Sequence, residues 1–531
     1  MTRNFEKPGR SLVYGTGGMA ATSHPASTLT AIEIMKAGGN AMDAAVAACA
    51  VQSVVEAGST GIGGDCFALF SKAGASKPLA YNGSGRTPAA AELNWYLQKG
   101  IRAIDRQTPH AVTVPGAVEA WATLIKDHGR LSLREILAPA VEMARKGYVL
   151  TPRVAFDLGN QVALLSADPA SSETFLVDGR APSAGSLQKQ ERLADTLELI
   201  GREGERAFYQ GGVGAALAGF LADRGGLHQA ADFAAAKGEY AEPISIDFLG
   251  RQVYECAPNG QGVIALMIMK IVSRFKRNAS SLDVDNLHIE VEATRLAYAA
   301  RDQLLADPSI VPVPVSYLLS DELADQLASR IDLGRSITDM PALSGAEHSE
   351  TVYICTVDKD RNVVSFINSL FHPYGAGLME PKSGVMFHNR GQSFVVEPGH
   401  PNCIGPRKRP LHTIIPGLVY EAGRPSLVFG VMGGHYQSMG HAYYLTRLFA
   451  DGLDLQAAMD QPRLYPLPGT NSVEAEEAVR DIIQEPFTKR GFKVQPPRWP
   501  IGGAQAIAVD WESGVLTGAS DHRKDGCALA Y

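Results

Sequence analysis

Residues 351 to 369 read TVYICTVDKDRNVVSFINS, two apolar runs joined by a short polar turn. Thr351, Tyr353, Cys355 and Val357 alternate with Val352, Ile354 and Thr356 before Lys359, Asp360, Arg361 and Asn362 turn the chain into the second run. The pattern predicts a β-hairpin of two mostly buried strands. A hairpin with so few polar side chains needs a larger sheet around it and cover above it, and the rest of the chain has to supply both.

It does so with short periodic segments. Residues 26 to 36 predict a helix: Pro25, Ser27 and Thr28 start it, Leu29, Ile32, Ile34 and Met35 give its apolar face, and Gly38-Gly39 stop it. The next segment, NAMDAAVAACAVQSVVE, is small and apolar on nearly all sides, as a helix buried against a sheet must be. In GIGGDCFALFSKAG the period changes to two, so a strand is entered through a glycine turn. Further helices are expected near 117–127, 133–146, 187–202, 213–224, 263–275, 285–305 and 321–330. Strands are expected near 252–256, 351–358, 362–369, 384–388, 414–420, 426–430 and 505–510. Helices dominate the middle and strands the last third, which suggests sheets covered by helices and completed by distant parts of the chain.

At 531 residues the length alone allows about three or four domains. The 54 glycines and 31 prolines, however, punctuate short elements rather than form a linker, and no repeat or low-complexity block marks a hinge. A net charge of −7, with no basic run longer than Arg407-Lys408-Arg409, argues against nucleic acid and acidic membrane surfaces as partners. A small neutral or anionic molecule suits the chain better. The opening MTRNFEKPGRSLVYGTGG has no apolar stretch of signal-peptide length, and no run of about 18 apolar residues occurs, so a cytoplasmic protein is expected.

Several chemistries find no support. The six cysteines are widely spaced in apolar sequence without a CxxC, and the 13 histidines form no HExxH; buried thiols are expected, and neither disulfides nor a transition metal. Gly15, Gly17 and Ala20 have the spacing of a dinucleotide fingerprint, but His24-Pro25 intervenes before the helix and Glu33 lies within it. No GxSxG is present, since Ser438 in HYQSMG lacks the first glycine.

Thr351 remains. At the head of a strand it is either a plain β-former or a nucleophile; as a free N-terminus its α-amine would serve as base for its own hydroxyl. The ordered blocks GGNAMDAA (38–45), GIGGDCF (61–67), APNGQGV around Pro258, AYAARD (297–302), TVDKDRNVVS (356–365), GAGLMEPKSGVMFHNR (375–390), RKRPLHTIIP (407–416), GVMGGHYQ (430–437) and GASDHR (518–523) bear on that choice. On these blocks, which run nearly end to end, the chain resembles the γ-glutamyltranspeptidase family.

The resemblance implies an α+β, four-layer αββα sandwich of the N-terminal-nucleophile hydrolases. It implies a precursor that cuts itself between Glu350 and Thr351 into a large subunit, 1–350, and a small one, 351–531, which together form one unit. Ser369 matches the family's second hydroxyl, which orients that of Thr351. Gly433 and Gly434 match the glycine pair whose N–H groups form the oxyanion hole. No cofactor is implied, and a dimer of processed pairs is a possible assembly.

The substrate-binding positions depart from the glutathione-cleaving relatives. Their three groups for the glutamyl α-amine match Phe371, Arg390 and Ser393 here, and an ammonium beside Arg390 would be repelled. Their carboxylate-binding arginine matches Ser84, with Arg86 two residues on, and their serine pair matches His412-Thr413. Arg86, Arg390, His412 and Thr413 are the expected ligands of an anionic group. The resemblance thus implies an amide hydrolase working through an acyl-enzyme passed to water or an amine, with a γ-glutamyl or related acyl group. The alternatives are an amidohydrolase or acylase for a small acid amide, such as oxamate or a glutaryl amide, and an unprocessed, non-catalytic scaffold.

Overall fold

The computed structural model describes residues 9–340 and 351–531. The hairpin is formed by Val352–Val357 and Val363–Ser369, and every residue of both strands is buried. It sits inside a seven-stranded sheet in the order Cys527–Ala530, Met19–Thr22, Val352–Val357, Val363–Ser369, Asp65–Ser71, Leu79–Gly83, Glu239–Ala241. A second seven-stranded sheet runs Val13–Gly15, Leu516–Ser520, Gly503–Val509, Arg424–Met432, Gly417–Glu421, Arg251–Glu255, Ile244–Phe248. All neighbouring strands in both are antiparallel.

The period of two sorts the side chains into layers. Phe67, Leu69, Tyr353, Cys355, Val357, Val363 and Ile367 point from the first sheet onto Leu418, Val428, Met432 and Ile507 of the second. Their alternates Cys66, Phe70, Ile354 and Phe366 face the helices Pro25–Lys36, Ala41–Val55 and Ala117–His128. On the far side Phe429, Val431, Ala504 and Ala506 face Gly262–Val272, Val284–Leu304 and Gln437–Phe449. Four layers result, the αββα sandwich of the N-terminal-nucleophile hydrolases. Residues on both sides of position 350 contribute strands to both sheets, so the two segments are interleaved.

Several expectations shift. The helix expected at 187–202 begins at Glu191, because Leu187–Gln188 instead pairs with Tyr148–Val149; the helical apolar spacing starts only at Leu193. The strand expected at 384–388 shortens to Val385–Met386. The helix Gln437–Phe449 is unanticipated: eleven of its residues, Gln437 through Arg447, are buried, so it shows no polar stripe. The YGTGGMA segment carries the chain from Val13–Gly15 in one sheet to Met19–Thr22 in the other. Glycine is required at its turn, since a Cβ on Gly17 would lie 2.4 Å from the Tyr531 carbonyl oxygen.

Candidate active site

Thr351 immediately precedes the first hairpin strand, and the register pairs Val352 with Asn368, so Thr351 stands across from Ser369. Both share the parity of Tyr353 and Ile367 and therefore face the space between the sheets. Their hydroxyls are 3.1 Å apart, and both residues are buried. Ser369 Oγ also accepts the Phe371 N–H at 2.9 Å, which fixes the second hydroxyl against the first. Glu350, the other half of the expected cleavage bond, lies outside the described residues.

On the facing sheet, strand Arg424–Met432 ends at Gly433 and Gly434, whose φ angles are +113° and +57°. These backbone angles favour glycine, and a Cβ on Gly433 would come within 3.0 Å of the Gly502 Cα. Among the described residues neither amide has an acceptor. One side chain holds the turn: Gln261 Nε2 donates to the carbonyls of Gly434 (3.0 Å) and Thr413 (2.9 Å), while its Oε1 accepts from Arg301 at 3.1 Å. Gln261 lies within the APNGQGV block, and a polar residue entering an apolar helix was the available signal.

Thr413 leads to Arg390. Its Oγ1 accepts from Arg390 Nη1 at 2.7 Å, and the guanidinium lies 4.4 Å over the Phe371 ring, a cation–π contact. Arg390 is fully buried, yet among the described residues its Nε and Nη2 have no hydrogen-bond partner. Burial pulls its pKa down to about 9, with Asp65 acting in the opposite direction. Phe371 has φ +79°, a conformation a bulky residue reaches only at a cost of about 1–3 kcal/mol. Its N–H bond to Ser369 and its ring, stacked on His372 at 4.4 Å and on Arg390, hold it there. Thr351, Ser369, Phe371, Arg390, Thr413, Gln261 and Gly434 are thus linked in one continuous set of contacts.

Two expected anion ligands are engaged elsewhere. Arg86 pairs with Asp307 at 2.9 Å and donates to the Arg407 carbonyl at 3.0 Å. It lines a cavity of about 180 Å³ with Ser84, Lys237 and Arg407, whose walls include neither Thr351 nor Arg390. The loop position that brings Arg86 close in sequence turns its side chain toward Asp307. His412 is fully buried against Asp65, Nε2 to Oδ2 at 3.1 Å. Burial first, and then Arg390, hold its pKa near 3, so His412 is neutral. The Ser393 hydroxyl is buried without a partner among the described residues.

Comparison with known proteins agrees with this architecture. A family model described as Gamma-glutamyltranspeptidase matches residues 27–531. The chain is 34% identical to the glutathione hydrolase-like YwrD proenzyme of Bacillus subtilis, covering 97% of this chain and 99% of that one. It is 32% identical to the oxamate amidohydrolase proenzyme of Klebsiella pneumoniae, with the same coverage of each. Its structure superposes on a crystal structure of cephalosporin acylase from Bacillus halodurans with a TM-score of 0.93 and 36% identity, over 100% of this chain and 99% of that one.

Proposed function

From the premise that this chain belongs to the γ-glutamyltranspeptidase family and is an enzyme, we propose that it is a self-cleaving amide hydrolase. Thr351 is its nucleophile, and its preferred substrate is a small acid amide without an α-amine. The observation that carries the substrate class is Arg390: a buried cation with two nitrogens unpartnered among the described residues, roofed by Phe371 and linked through Phe371 and Ser369 to the Thr351 hydroxyl. An ammonium about 4 Å from it would meet a repulsion of about 4 kcal/mol at an effective dielectric of about 20. A carboxylate there would gain charge-assisted hydrogen bonds.

In the precursor, the Thr351 hydroxyl attacks the Glu350 carbonyl carbon while Ser369 orients it. The acyl group passes from the Thr351 nitrogen to its oxygen, and water hydrolyses the ester. The products are a carboxylate on Glu350 and a free α-amine and hydroxyl on Thr351. In turnover the α-amine takes the hydroxyl proton as the oxygen attacks the substrate carbonyl. Gly433 and Gly434 N–H groups receive the oxyanion, an interaction worth about 3 kcal/mol per donor in comparable sites. The protonated amine then gives its proton to the leaving nitrogen, and water, activated by the same amine, releases the acid and regenerates Thr351. Transfer of the acyl group to an amine in place of water is the competing outcome.

Intact mass of the purified protein over time, beside Thr351→Ala, tests the nucleophile: two fragments dividing at Glu350/Thr351, absent in the variant, are expected. A chain that stays at full length under all conditions refutes it and favours the scaffold reading. Oxamate and glutaryl anilide assayed against γ-glutamyl anilide test the substrate class, and a higher kcat/KM for the γ-glutamyl compound overturns the acid-amide assignment.

A further inference from the structure

Beside Ser369 lies one more charge, absent from the reaction as written above. The register pairs Ser369 with Asp65, and Asp65 shares the parity of Phe67 and Leu69, so its side chain also faces the space between the sheets. Thr351, Ser369 and Asp65 therefore form a row across three adjacent strands, where paired Cβ atoms stand about 5 Å apart. Asp65 is fully buried. Its Oδ1 accepts the N–H groups of Gly85 (3.0 Å) and Gly116 (3.1 Å), and its Oδ2 faces His412. Those two amides reach one oxygen because the 83–85 and 114–116 segments touch: a Cβ on Gly85 would lie 1.7 Å from the Val114 carbonyl oxygen.

Both histidines beside it are neutral on hydrogen-bond grounds. His412 Nδ1 accepts the Ile414 N–H at 3.4 Å, so Nε2 carries the proton it gives to Asp65. His388 Nδ1 accepts the Arg390 N–H at 2.9 Å, and its Nε2 donates to the Thr113 carbonyl at 3.0 Å. The cluster behind Arg390 thus holds one anion, one cation and two neutral rings. Burial alone would raise the Asp65 carboxyl, but the hydrogen bond from His412 and the charge of Arg390 pull it well below the usual carboxylate range. No ion pair joins it to Arg390 among the described residues, so the cation is balanced without its free N–H groups being consumed.

Building on the acid-amide reading, we infer that Asp65 is a positioning residue for Arg390, the group that receives the substrate's carboxylate. Fixed by Gly85, Gly116 and His412, its carboxylate is the buried countercharge to Arg390 on the other side of Ser369, and it leaves Nε and Nη2 without a protein partner among the described residues, to be met by a substrate carboxylate. Asp65 acts through Arg390 rather than on the substrate, its oxygens already accepting three N–H donors.

The test compares glutaryl and pentanoyl p-nitroanilides, acyl groups of equal length with and without the terminal carboxylate, in the processed wild-type enzyme and Asp65→Asn. The substituted amide keeps the shape of the carboxylate but places an NH₂ or an uncharged oxygen against His412. The expected result is normal self-cleavage, a glutaryl KM raised about tenfold or more, and pentanoyl kinetics within about twofold of wild type. Equal loss on both substrates shows a merely structural residue and overturns the inference, as does unchanged glutaryl KM. Selective loss of γ-glutamyl anilide activity overturns it differently, making Asp65 a ligand for an ammonium. If Asp65→Asn fails to fold, His412→Leu, which leaves the charge but frees it from its donor, must raise the glutaryl KM in the same direction; an unchanged value overturns the inference. A wild-type enzyme with no preference for glutaryl over pentanoyl refutes the substrate reading itself, a result distinguishable from all of these.

Discussion

Replacing Arg390 by Met separates the fold's interest in this residue from the substrate's. The buried guanidinium has its pKa pulled from its ordinary value down to about 9, and a drop of that size corresponds to about 5 kcal/mol of folding free energy spent on holding the charge. The lost hydrogen bond to Thr413 and the lost contact with Phe371 return about 1 and about 1–2 kcal/mol respectively. Arg390→Met should therefore stabilise the unliganded enzyme by about 2 kcal/mol. With an unfolding entropy of about 2.1 cal/mol/K per residue over 531 residues, the apparent Tm should rise by about 2 °C. The assay is thermal unfolding of both processed proteins at one scan rate and concentration.

The sign with pH follows from the same numbers. A base whose folded pKa is lowered destabilises the fold as long as it stays protonated, so the cost is complete below about pH 9 and diminishes above it. The gap between variant and wild type should shrink as the pH is raised through 9. Glutarate should raise the wild-type Tm and leave the variant's unchanged, and kcat/KM for glutaryl anilide should fall at least about 100-fold, the equivalent of about 3 kcal/mol of charge-assisted bonding. An Arg390→Met protein less stable than wild type by more than about 1 kcal/mol would refute the reasoning, because it would mean the guanidinium is a structural cation with satisfied partners.

Ser369→Ala, which removes the hydroxyl 3.1 Å from Thr351, should slow both self-cleavage and turnover, each by about 100-fold, as read by intact mass and by anilide release; an effect on one alone would separate its two roles. Gly433→Ala should lower kcat by about 100-fold or more with little change in KM, because φ +113° leaves no relaxed place for the methyl; steady-state kinetics decide it. The acid stability of the fold should reflect His228, His372 and His412, whose burial lowers their pKa values to about 4, 3 and 3. Each is neutral in the fold and takes up a proton on unfolding below about pH 6.5. Their contribution is complete above that pH and is lost toward pH 4 at about 1.4 kcal/mol per pH unit for each, measurable by urea unfolding across pH 4–7.

The hairpin, its partner strands and the helices that cover them were legible because their apolar periods of two and 3.6 are local facts. Gln437–Phe449 was not, since a helix buried all round has no polar stripe to mark its period. The candidate site was legible through the resemblance rather than through local pattern: of the positions it pointed to, the structure brings Thr351, Ser369, Phe371, Arg390 and Thr413 into one set of contacts. It was less so where side-chain direction decides. Arg86 looks available in sequence and is turned to Asp307, whereas His412 looks like an anion ligand and serves Asp65. Asp65 itself carried a signal, a carboxylate at the mouth of a strand otherwise apolar through Phe70, and a buried charge always demands partners. Those partners come from residues 85, 116 and 412, and only the fold brings them together.

Self-cleavage at the head of Val352–Val357 would place a new chain terminus inside a sheet, a position where fraying would abolish the geometry the reaction requires. The sheet order answers this. The strand pairs with Val363–Ser369 over six registered residues and with Met19–Thr22 over four, so both of its edges are occupied, one by each of the two segments the cut would create. Its two faces are covered as well, by Leu418, Val428 and Met432 across the sheet interface and by the fully buried helix Ala41–Val55. Cutting therefore frees one α-amine without freeing the strand, and the Thr351 hydroxyl keeps its neighbour Ser369. The large and small segments should co-purify as a tight pair and separate only on global unfolding. Size-exclusion chromatography of the processed enzyme in sub-denaturing urea checks this: release of residues 351–531 before loss of the helical circular dichroism signal would show that the cut strand is held by less than its surroundings indicate.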